Sequence, residues 1–373
     1  MNAQPVALVT GATSGIGEAT AYRLQAKNHL VFAVGRNPAA LDGLRSRGFQ
    51  ARTLDVTDEA AVTRLVNEIN TDYGGVDVLV NSAGFPLRGP LEQVALNEAR
   101  SLFETHVVGP LHLSQAVLPG MRARRAGIIV NIGSTGGRFT SPGAGAYHIS
   151  KYGLEALSLA LRAELMQFGV RVVLIDPTGV RTRFVEAQLE ETRSYADDDP
   201  YGEFKRRYDE AALALTKTPG VMINADTVAR AVMRVVESRN PKPRYIVGLS
   251  GHATMLARTL LTDRMWERVV MMGLRVDNYP LFFAVLVLGS AGLASLATIM
   301  AAIVAKANVK GALFTILSFP PLLPLLITCI RGTRLPLEGA EVAAAGPELR
   351  LLVAYSIVMV TASLMLFEFV WSE

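Results

Sequence analysis

Short apolar runs alternate with stretches of helical spacing along the first 250 residues. The runs are only four to six residues long, which is typical of strands buried on both faces. They comprise residues 6–9, 30–34, 76–81, 128–132 and 170–175, with further strands ending at residues 54–56 and 244–247. Parallel strands need helical crossovers between them, so the alternation predicts an α/β fold. We expect a Rossmann-type doubly wound parallel sheet in residues 1–250.

The C-terminal part of the chain follows a different pattern. No Asp, Glu, Lys or Arg lies between Asp277 and Lys306, and a helix that crosses a bilayer needs only about 20 apolar residues. Residues 311–330 and 349–371 are two further apolar segments. The sequence therefore predicts an all-α transmembrane region of about three helices in residues 279–373. A buried bundle of a soluble protein is the alternative.

Two segments fit more than one structure. Pro320, Pro321 and Pro324 interrupt the second apolar segment, and they would kink a helix there or make the segment re-entrant. Residues 251–278 place apolar side chains among arginines. This pattern favours an amphipathic bridge on an anionic membrane surface, although a helix packed on the first domain would show the same pattern.

Composition and charge narrow the function classes. Of 373 residues, 50% are hydrophobic, the mean hydropathy is +0.29 and the net charge is +4. The basic residues are scattered among acidic ones, so we expect no nucleic-acid partner, and we expect no metal site. The only cysteine, Cys329, excludes an intrachain disulfide and favours a reducing compartment. The N-terminus lacks the pattern of a cleavable secretion signal.

A glycine-rich loop joins the first strand to the first helix. It reads ThrGlyAlaThrSerGlyIleGly, with an apolar run before it and a helical pattern after it. Glycines let the backbone approach a pyrophosphate closely, and the amides at the helix start attract its negative charge. The loop predicts dinucleotide binding by Gly11, Thr13, Ser14, Gly15, Ile16 and Gly17.

The end of the second strand bears on the choice of dinucleotide. A carboxylate there would bind the ribose 2′-hydroxyl of NAD, whereas an arginine accommodates the 2′-phosphate of NADP. Gly35 and Arg36 occupy this place. We therefore predict NADP (NADPH) rather than NAD; the alternative is that Arg36 is only a solvated residue at a helix start.

Tyr147 and Lys151 lie four residues apart at the start of a predicted helix, which puts the phenol and the ammonium on one face. An adjacent cation favours the phenolate, so we expect Lys151 to lower the pKa of Tyr147 towards neutrality. Ser134 follows a predicted strand, at the edge where open α/β sheets bind their ligands. The three side chains predict an acid/base site.

These motifs resemble the short-chain dehydrogenase/reductase family when they are taken with three others, LeuAspVal at residues 54–56, AsnSerAlaGly at 81–84 and AspProThrGlyValArgThr at 176–182. The resemblance covers about residues 5–250. GlyPro at 109–110 and ProArgTyrIleValGly at 243–248 look like the hydroxysteroid dehydrogenase-like branch, which acts on steroids, retinoids and acylated lipid ketones. Family members are often dimers or tetramers, so the resemblance also implies a homo-oligomer.

The resemblance implies a role for each matching residue. Tyr147 would exchange the proton, Lys151 would bind the nicotinamide ribose, and Ser134 would hold the substrate oxygen. Two positions depart from the family. His106 replaces an Asn that holds a water of the proton relay, although an imidazole could hold that water or relay a proton itself. Thr178 replaces a Gly. Cofactor contacts are implied for Asp55, Val56, Asn81, Ala83, Gly84, Tyr147, Lys151, Pro177, Thr178, Val180 and Thr182.

Residues 184–222 interrupt the alternation of strands and helices with a polar, charged segment. Their position suits a mobile lid over the substrate, and a solvated pair of surface helices would have the same composition.

Together these features predict a membrane-anchored, NADP-dependent oxidoreductase. It would transfer hydride between NADPH and the carbonyl or alcohol of a lipophilic substrate, such as a steroid, retinoid, keto-lipid or polyprenoid. Arginines beside the apolar segments favour a catalytic domain that faces the cytoplasm. The alternative is a non-catalytic dinucleotide-sensing domain that regulates a membrane partner, which the loss of the family's Asn at position 106 would favour.

Overall fold

The computed structural model describes residues 4–182, 198–218, 220–272, 279–307, 312–337 and 345–371. The chain forms two compact units, Met1–Met271 and Met272–Glu373. The first unit holds the predicted α/β domain together with most of the predicted bridge.

A parallel sheet forms the centre of the first unit. Its strands, with two short ones beside it, are β1 (Val6–Thr10), β2 (Leu30–Gly35), β3 (Gln50–Thr53), β4 (Val78–Asn81), β5 (Ile128–Ile132), β6 (Arg171–Pro177), β7 (Val180–Arg181), β8 (Ile223–Asn224) and β9 (Arg244–Val247). The seven-stranded sheet has the order β3-β2-β1-β4-β5-β6-β9, and every pair is parallel. Strand order reverses between β1 and β4, so a crevice opens there at the carboxyl ends of the strands.

Successive residues of each strand face two different hydrophobic cores. In β1, Ala7 and Val9 belong to one core, whereas Val6 and Leu8 belong to the other. Both faces of the strand are therefore apolar, which is why the strands read as continuous apolar runs. The predicted parallel sheet is confirmed.

Helices cover both faces of the sheet. The helices of the described residues are α1 (Gly15–Ala26), α2 (Pro38–Arg45), α3 (Glu59–Tyr73), α4 (Leu96–Phe103), α5 (Gly109–Arg124), α6 (Gly145–Leu165), α7 (Gly202–Lys217), α8 (Ala225–Glu237), α9 (Leu249–Leu260), α10 (Asp263–Met272), α11 (Tyr279–Ala307), α12 (Ala312–Leu337) and α13 (Gly346–Trp371). Helices α1, α2 and α8 pack in one core, and α3, α5 and α6 in the other. A π-helical turn, Glu104–Val108, joins α4 to α5.

Strand β3 ends earlier than the sequence predicts. It stops at Thr53, so residues 54–56 follow the strand instead of belonging to it. The side chain of Asp55 accepts hydrogen bonds from the backbone N–H and the hydroxyl of Thr57, at 3.0 and 2.8 Å. These bonds turn the chain and end the strand. The sequence analysis also missed the short strands β7 and β8, because two residues give no periodicity.

Residues 184–197 and 219 of the predicted lid lie outside the described residues. Its described part is α7 and the turn before it, and polar contacts connect both to the loop after β4. Asp199 accepts a hydrogen bond of 2.8 Å from Gln93, and Arg88 lies 3.6 Å from Asp209 in an ion pair. This part of the segment thus packs on the rest of the first unit.

The second unit consists of three helices, α11, α12 and α13, within the described residues. Two of them contain segments long and apolar enough to cross a membrane, Leu281–Met300 and Gly346–Met365. The prediction of about three transmembrane helices stays a prediction. Helix α12 continues through Pro320, Pro321 and Pro324, which remove backbone donors.

Glycines set the spacing of these three helices. A Cβ atom at Gly289 would lie 2.6 Å from the sulfur of Cys329, and one at Gly292 would lie 3.0 Å from Leu325. Small residues let helix backbones approach closely, as in membrane bundles. Tyr355 of α13 adds a hydrogen bond of 2.9 Å to the carbonyl of Pro321 in α12.

The predicted bridge forms two helices, α9 and α10. Gly251 and Met255 of α9 are buried against the rest of the first unit. Another side of α9 exposes the large apolar residues Leu249, Leu256 and Leu260, which follow one another at helical spacing. The buried face of α9 agrees with a helix packed on the first domain. The exposed apolar face is the feature that an amphipathic bridge on a membrane surface would need.

Candidate active site

The loop between β1 and α1 adopts a conformation that favours glycine at two positions. Gly11 and Gly15 have φ angles of +63° and +59°, in the left-handed region. A Cβ atom at Gly17 would overlap with the carbonyl group of Gly11, so the loop and α1 meet backbone to backbone. The amides of the first helical turn have no intrahelical acceptor and suit an anion such as a pyrophosphate.

A cleft of about 510 Å³ runs along the carboxyl ends of the strands. Ser134, Tyr147 and Lys151 line it together with most of the predicted cofactor contacts. Those contacts are Gly11, Thr13, Ser14, Gly15, Ile16, Arg36, Asp55, Val56, Ala83, Gly84, Pro177, Thr178, Val180 and Thr182. The structure therefore brings the predicted catalytic and cofactor residues into one cavity whose glycine cradle suits a dinucleotide.

Three predicted residues, Gly17, Asn81 and His106, are absent from the cleft lining. Asn81 instead connects two strands and a helix, because it donates a 2.8 Å hydrogen bond to Asn131, which donates one of 2.8 Å to Ser158. All three side chains of this chain of bonds are buried.

Several lining residues were not predicted. They are chain neighbours of predicted residues at the ends of strands, so proximity to a motif was the signal available in the sequence. These residues are Asn37, Leu54, Ser82, Phe85, Thr105, Ile132, Gly133, Thr135 and Gly179.

Thr10 joins the glycine loop to the loop after β4. Its hydroxyl accepts hydrogen bonds from the backbone N–H groups of Ser82 and Ala83, at 2.9 and 3.0 Å. A Cβ atom at Gly11 would lie 2.8 Å from the carbonyl oxygen of Ser82. The two loops that border the cofactor cleft are thus held at a fixed separation.

The hydroxyl groups of Tyr147 and Ser134 share a hydrogen bond. Removal of the phenol from water raises the pKa of Tyr147 to about 12; the bond to Ser134 lowers the pKa and the charge of Asp176 raises it. The expectation that the neighbouring cation brings this pKa towards neutrality is therefore wrong, because burial raises the pKa. Tyr147 is a protonated phenol at neutral pH.

Lys151 is buried, with 8% of its surface exposed, and its Nζ donates a hydrogen bond of 3.1 Å to the carbonyl of Ile132. Nζ also lies 5.8 Å from the ring centre of Tyr147. Burial lowers the pKa of Lys151 to about 8, while the charge of Asp176 opposes that shift. Lys151 thus stays mainly cationic at pH 7, close to the phenol.

His106 lies in the π-helical turn and uses both ring nitrogens. Nε2 accepts from the backbone N–H of Phe85 at 3.2 Å, which leaves the proton on Nδ1, 2.8 Å from the hydroxyl oxygen of Ser150. Ser150 in turn donates to the carbonyl of Tyr147 at 2.7 Å. Burial lowers the pKa of His106 well below its usual value, and nearby Lys151 lowers it further. His106 is therefore a neutral side chain that connects the π-helical turn to the loop after β4 and to α6.

The adenine end of the cleft carries opposite charges. Arg36 lies 3.6 Å from Asp55, and both side chains are solvent-accessible. Burial tends to raise the pKa of Asp55, but hydrogen bonds from Thr57 and the charge of Arg36 bring it below its usual value. An accessible guanidinium here suits a phosphate group on the ribose.

Thr178, the residue that replaces a family glycine, lines the other end of the cleft. Its hydroxyl lies 3.1 Å from that of Ser250 in α9, and a Cβ atom at Gly248 would overlap with its methyl group. Thr178 thus couples the wall of the cleft to the helix that follows the sheet.

Comparison with protein families agrees with this geometry. The family model for short chain dehydrogenase matches residues 5–193. The chain belongs to the short-chain dehydrogenase/reductase family. A second family model, that of CcmB protein, matches residues 252–370, which include the three apolar helices.

Relatives of known or assigned activity support the same family. The NADPH-dependent 3-dehydrocapnine reductase of Ornithobacterium rhinotracheale is 33% identical over 70% of this chain and 95% of the relative. The 3-ketodihydrosphingosine reductase of Bacteroides thetaiotaomicron is 31% identical, over 65% of this chain and 87% of the relative.

Solved structures of short-chain dehydrogenases have the same fold. A short-chain dehydrogenase from Streptomyces avermitilis has a TM-score of 0.59 and 32% identity, over 72% of this chain and 97% of that one. A serine dehydrogenase complexed with NADP⁺ has a TM-score of 0.55 and 28% identity, over 65% and 94%. This short-chain dehydrogenase/reductase is thus an NADP-dependent oxidoreductase, and the predicted cofactor is confirmed.

Proposed function

We propose that this enzyme is a membrane-anchored NADPH-dependent reductase that converts the carbonyl group of a lipophilic substrate to an alcohol. The observation that carries the proposal is the protonated phenol of Tyr147, hydrogen-bonded to Ser134 inside the cofactor cleft. A reductase needs a proton donor beside the carbonyl oxygen, and a phenol with a raised pKa holds its proton at neutral pH.

NADPH, when bound, supplies the hydride that adds to the carbonyl carbon. Ser134 would donate a hydrogen bond to the carbonyl oxygen and fix its position. As negative charge builds on that oxygen, Tyr147 would transfer its phenolic proton, because an alkoxide is a stronger base than a phenolate. The products are the alcohol and NADP⁺, and the phenolate left behind is reprotonated from water.

Lys151 would hold the nicotinamide ribose and stabilise the transient phenolate. Its ammonium lies 5.8 Å from the ring centre of Tyr147, and the low-dielectric surroundings strengthen the attraction between the two charges. Arg36 would pair with the 2′-phosphate, and the glycine loop at Gly11 and Gly15 would cradle the pyrophosphate.

His106 would position Tyr147 instead of passing protons. Both of its ring nitrogens are engaged, one by Phe85 and the other by Ser150, which bonds to the backbone of Tyr147. In this arrangement the ring has no free nitrogen for the relay water that the family's Asn holds.

A lipophilic ketone is the proposed substrate class. Two relatives have names that describe the reduction of ketones, 3-dehydrocapnine and 3-ketodihydrosphingosine. Next to the reacting groups, Phe85, Leu87 and Tyr147 belong to one apolar cluster. An apolar wall beside the phenol favours a substrate with a hydrocarbon part, and the hydroxysteroid-like motifs point to the same class.

The apolar helices support membrane anchoring. Helices α11 and α13 are long and apolar enough to cross a bilayer, and α9 exposes Leu249, Leu256 and Leu260. We propose that α11 and α13 span the membrane and that this face of α9 lies on its surface. Arginines before α11 favour a catalytic unit on the cytoplasmic side.

Turnover tests the catalytic proposal. The full chain in detergent micelles is mixed with NADPH and 3-ketodihydrosphingosine as probe ketone, and NADPH oxidation is recorded. Tyr147→Phe should abolish turnover and retain NADPH binding, measured by equilibrium titration. Tyr152→Phe is the matched control, since Tyr152 is an exposed phenol on the same helix, and it should be active. Turnover by Tyr147→Phe, or NADPH binding without turnover of any lipid ketone by the unaltered chain, contradicts the proposal; the latter result favours a sensor.

Cell fractionation tests the anchor. The full chain should sediment with membranes, resist extraction at alkaline pH and dissolve in detergent. A protein that alkaline washing releases does not span the bilayer, whatever its turnover.

A further inference from the structure

We infer, building on the role proposed above for Lys151, that Asp176 is a positioning residue for Lys151 and Tyr147. The buried carboxylate of Asp176 lies against the peptide group between Ile132 and Gly133, and its negative charge acts on Lys151 and Tyr147. No substrate or cofactor contact is assigned to it.

Asp176 lies near the end of β6 with 1% of its surface exposed. Its Oδ2 lies 3.2 Å from Nε of Arg244 on β9 and makes no hydrogen bond. Arg244 is shared, because it also forms an ion pair with Glu155 of α6. Burial of a charge is costly, and the carboxylate of Asp176 shares its ion-pair partner Arg244 with Glu155, so its negative charge is only partly neutralised.

One peptide group connects Asp176 to the reactive pair. The carbonyl of Ile132 accepts the hydrogen bond of Lys151, at 3.1 Å. The N–H of Gly133 in the same peptide group donates to the carbonyl of Ile175, at 2.8 Å. A Cβ atom at Gly133 would overlap with Oδ1 of Asp176, so the carboxylate lies directly against this residue. The next residue along the chain is Ser134.

The position of Asp176 gives it two electrostatic effects. It opposes the loss of charge that burial imposes on Lys151, and it raises the pKa of Tyr147. Both effects have the sign that reduction needs, since the lysine stays cationic and the phenol keeps its proton. A purely structural ion pair would not need Asp176, because Arg244 already pairs with Glu155.

Asp176 is itself close to its titration point. Burial raises its pKa to about 7, and Arg244, Arg138 and Lys151 lower it while Glu155 raises it. These four residues, from β9, α6 and the segment between β5 and α6, are the charged groups that act on it.

The pH dependence of NADPH binding tests the inference without a substrate. Lys151 loses its charge near pH 8, so the affinity of the full chain should decline above that pH. Asp176→Asn should move the midpoint of the decline on the order of one pH unit lower, because removing a nearby opposite charge favours the neutral amine. Lys151→Met should remove the decline.

Two further variants should differ in how they move this pH midpoint. Arg244→Gln should also move the midpoint lower, because without its cation Asp176 takes up a proton. Glu155→Gln should leave the midpoint in place or raise it, because Asp176 becomes more easily ionised. Asp226→Asn, which removes a surface carboxylate that pairs with Arg23, is the matched control and should change nothing.

The inference is overturned if the pH midpoint of the decline in NADPH affinity is the same in the unaltered chain, in Asp176→Asn and in Arg244→Gln. It is also overturned if the decline persists in Lys151→Met. If Asp176→Asn does not fold, Arg244→Gln decides. Failure of the proposed function is distinguishable, because it appears as absent ketone turnover while NADPH binding is still measurable.

Discussion

Nδ1 of His106 lies 2.8 Å from the hydroxyl oxygen of Ser150, and that hydroxyl donates to the carbonyl of Tyr147 at 2.7 Å. A histidine in the π-helical turn is thus connected through one serine to the backbone of the catalytic helix. Because Nε2 accepts from Phe85, protonation of the ring would remove the acceptor of that partly buried N–H.

Acidification should therefore destabilise this enzyme partly through His106. Its pKa is lowered in the folded state, whereas the unfolded chain has a pKa of about 6.5. The unfolded state binds the proton more readily, so stability should be lost as pH falls below about 6.5 and be fully present above it. His148, whose pKa burial also lowers, contributes with the same sign.

Denaturant unfolding of the full chain in micelles between pH 8 and pH 5 checks this prediction. His106→Asn should flatten the dependence of the unfolding free energy on pH, and His252→Asn, at an exposed position, should not. An equally steep dependence in His106→Asn would contradict it.

Gly84→Ala should destabilise the enzyme by displacing His106. A Cβ atom at position 84 would lie 2.7 Å from Nε2 of His106, which has no space to move in a buried site. We expect a loss of about 1–3 kcal/mol in unfolding free energy, typical of overpacking. His106→Ala removes the ring, so the double variant Gly84→Ala/His106→Ala should lose less unfolding free energy than the sum of the two single losses. Additive losses would refute the contact.

Gly17→Ala should weaken NADPH binding without unfolding the domain. The added methyl group would overlap with the carbonyl of Gly11 and push the glycine loop out of its cradle conformation. Equilibrium titration with NADPH should show at least a tenfold weaker affinity, about 1.4 kcal/mol. Gly43→Ala is the matched control, since no atom lies within 4 Å of its Cβ position, and it should bind NADPH normally.

Arg36→Leu should reduce the preference for NADPH over NADH. A charge-assisted hydrogen bond is worth about 1.5–3 kcal/mol, so we expect a roughly 10- to 100-fold rise in the Kd for NADPH. The Kd for NADH should change little, because NADH lacks the 2′-phosphate. Arg45→Leu, on α2 but outside the cleft lining, is the control. Equal weakening for both dinucleotides would show that Arg36 acts on the loop structure instead.

Tyr355→Phe should weaken the second unit by about 1 kcal/mol. The variant keeps the ring and removes only the hydrogen bond of 2.9 Å to the carbonyl of Pro321, and a hydrogen bond within a protein typically contributes about this much. Unfolding in micelles by increasing denaturant provides the measurement. Thr328→Val, which removes a hydrogen bond within α12, is the comparison and should have a smaller effect.

The sheet and the cleft were predictable because they depend on local pattern. Strands such as β1 are apolar on both faces, and motif residues such as Gly11 and Ser134 lie at strand ends, where parallel topology brings them together. Neither inference requires knowledge of distant contacts.

The errors concern quantities that depend on distant contacts. The pKa of Tyr147 depends on how deeply the cleft removes the phenol from water, which spacing along a helix does not reveal. The partners of His106 come from the loop after β4 and from α6, so its engaged nitrogens were not visible in the sequence. Asp176 escaped notice because Arg244, its partner, lies 68 residues away in the chain.

Because Cys329 of α12 lies against Gly289 of α11, the reactivity of the enzyme's single sulfhydryl depends on the separation of these two helices. A small alkylating reagent and a bulky maleimide should label it at different rates, because only separated helices leave room for the larger adduct. The ratio of the two rates would then report, in intact cells and without any introduced label, how often the bundle opens.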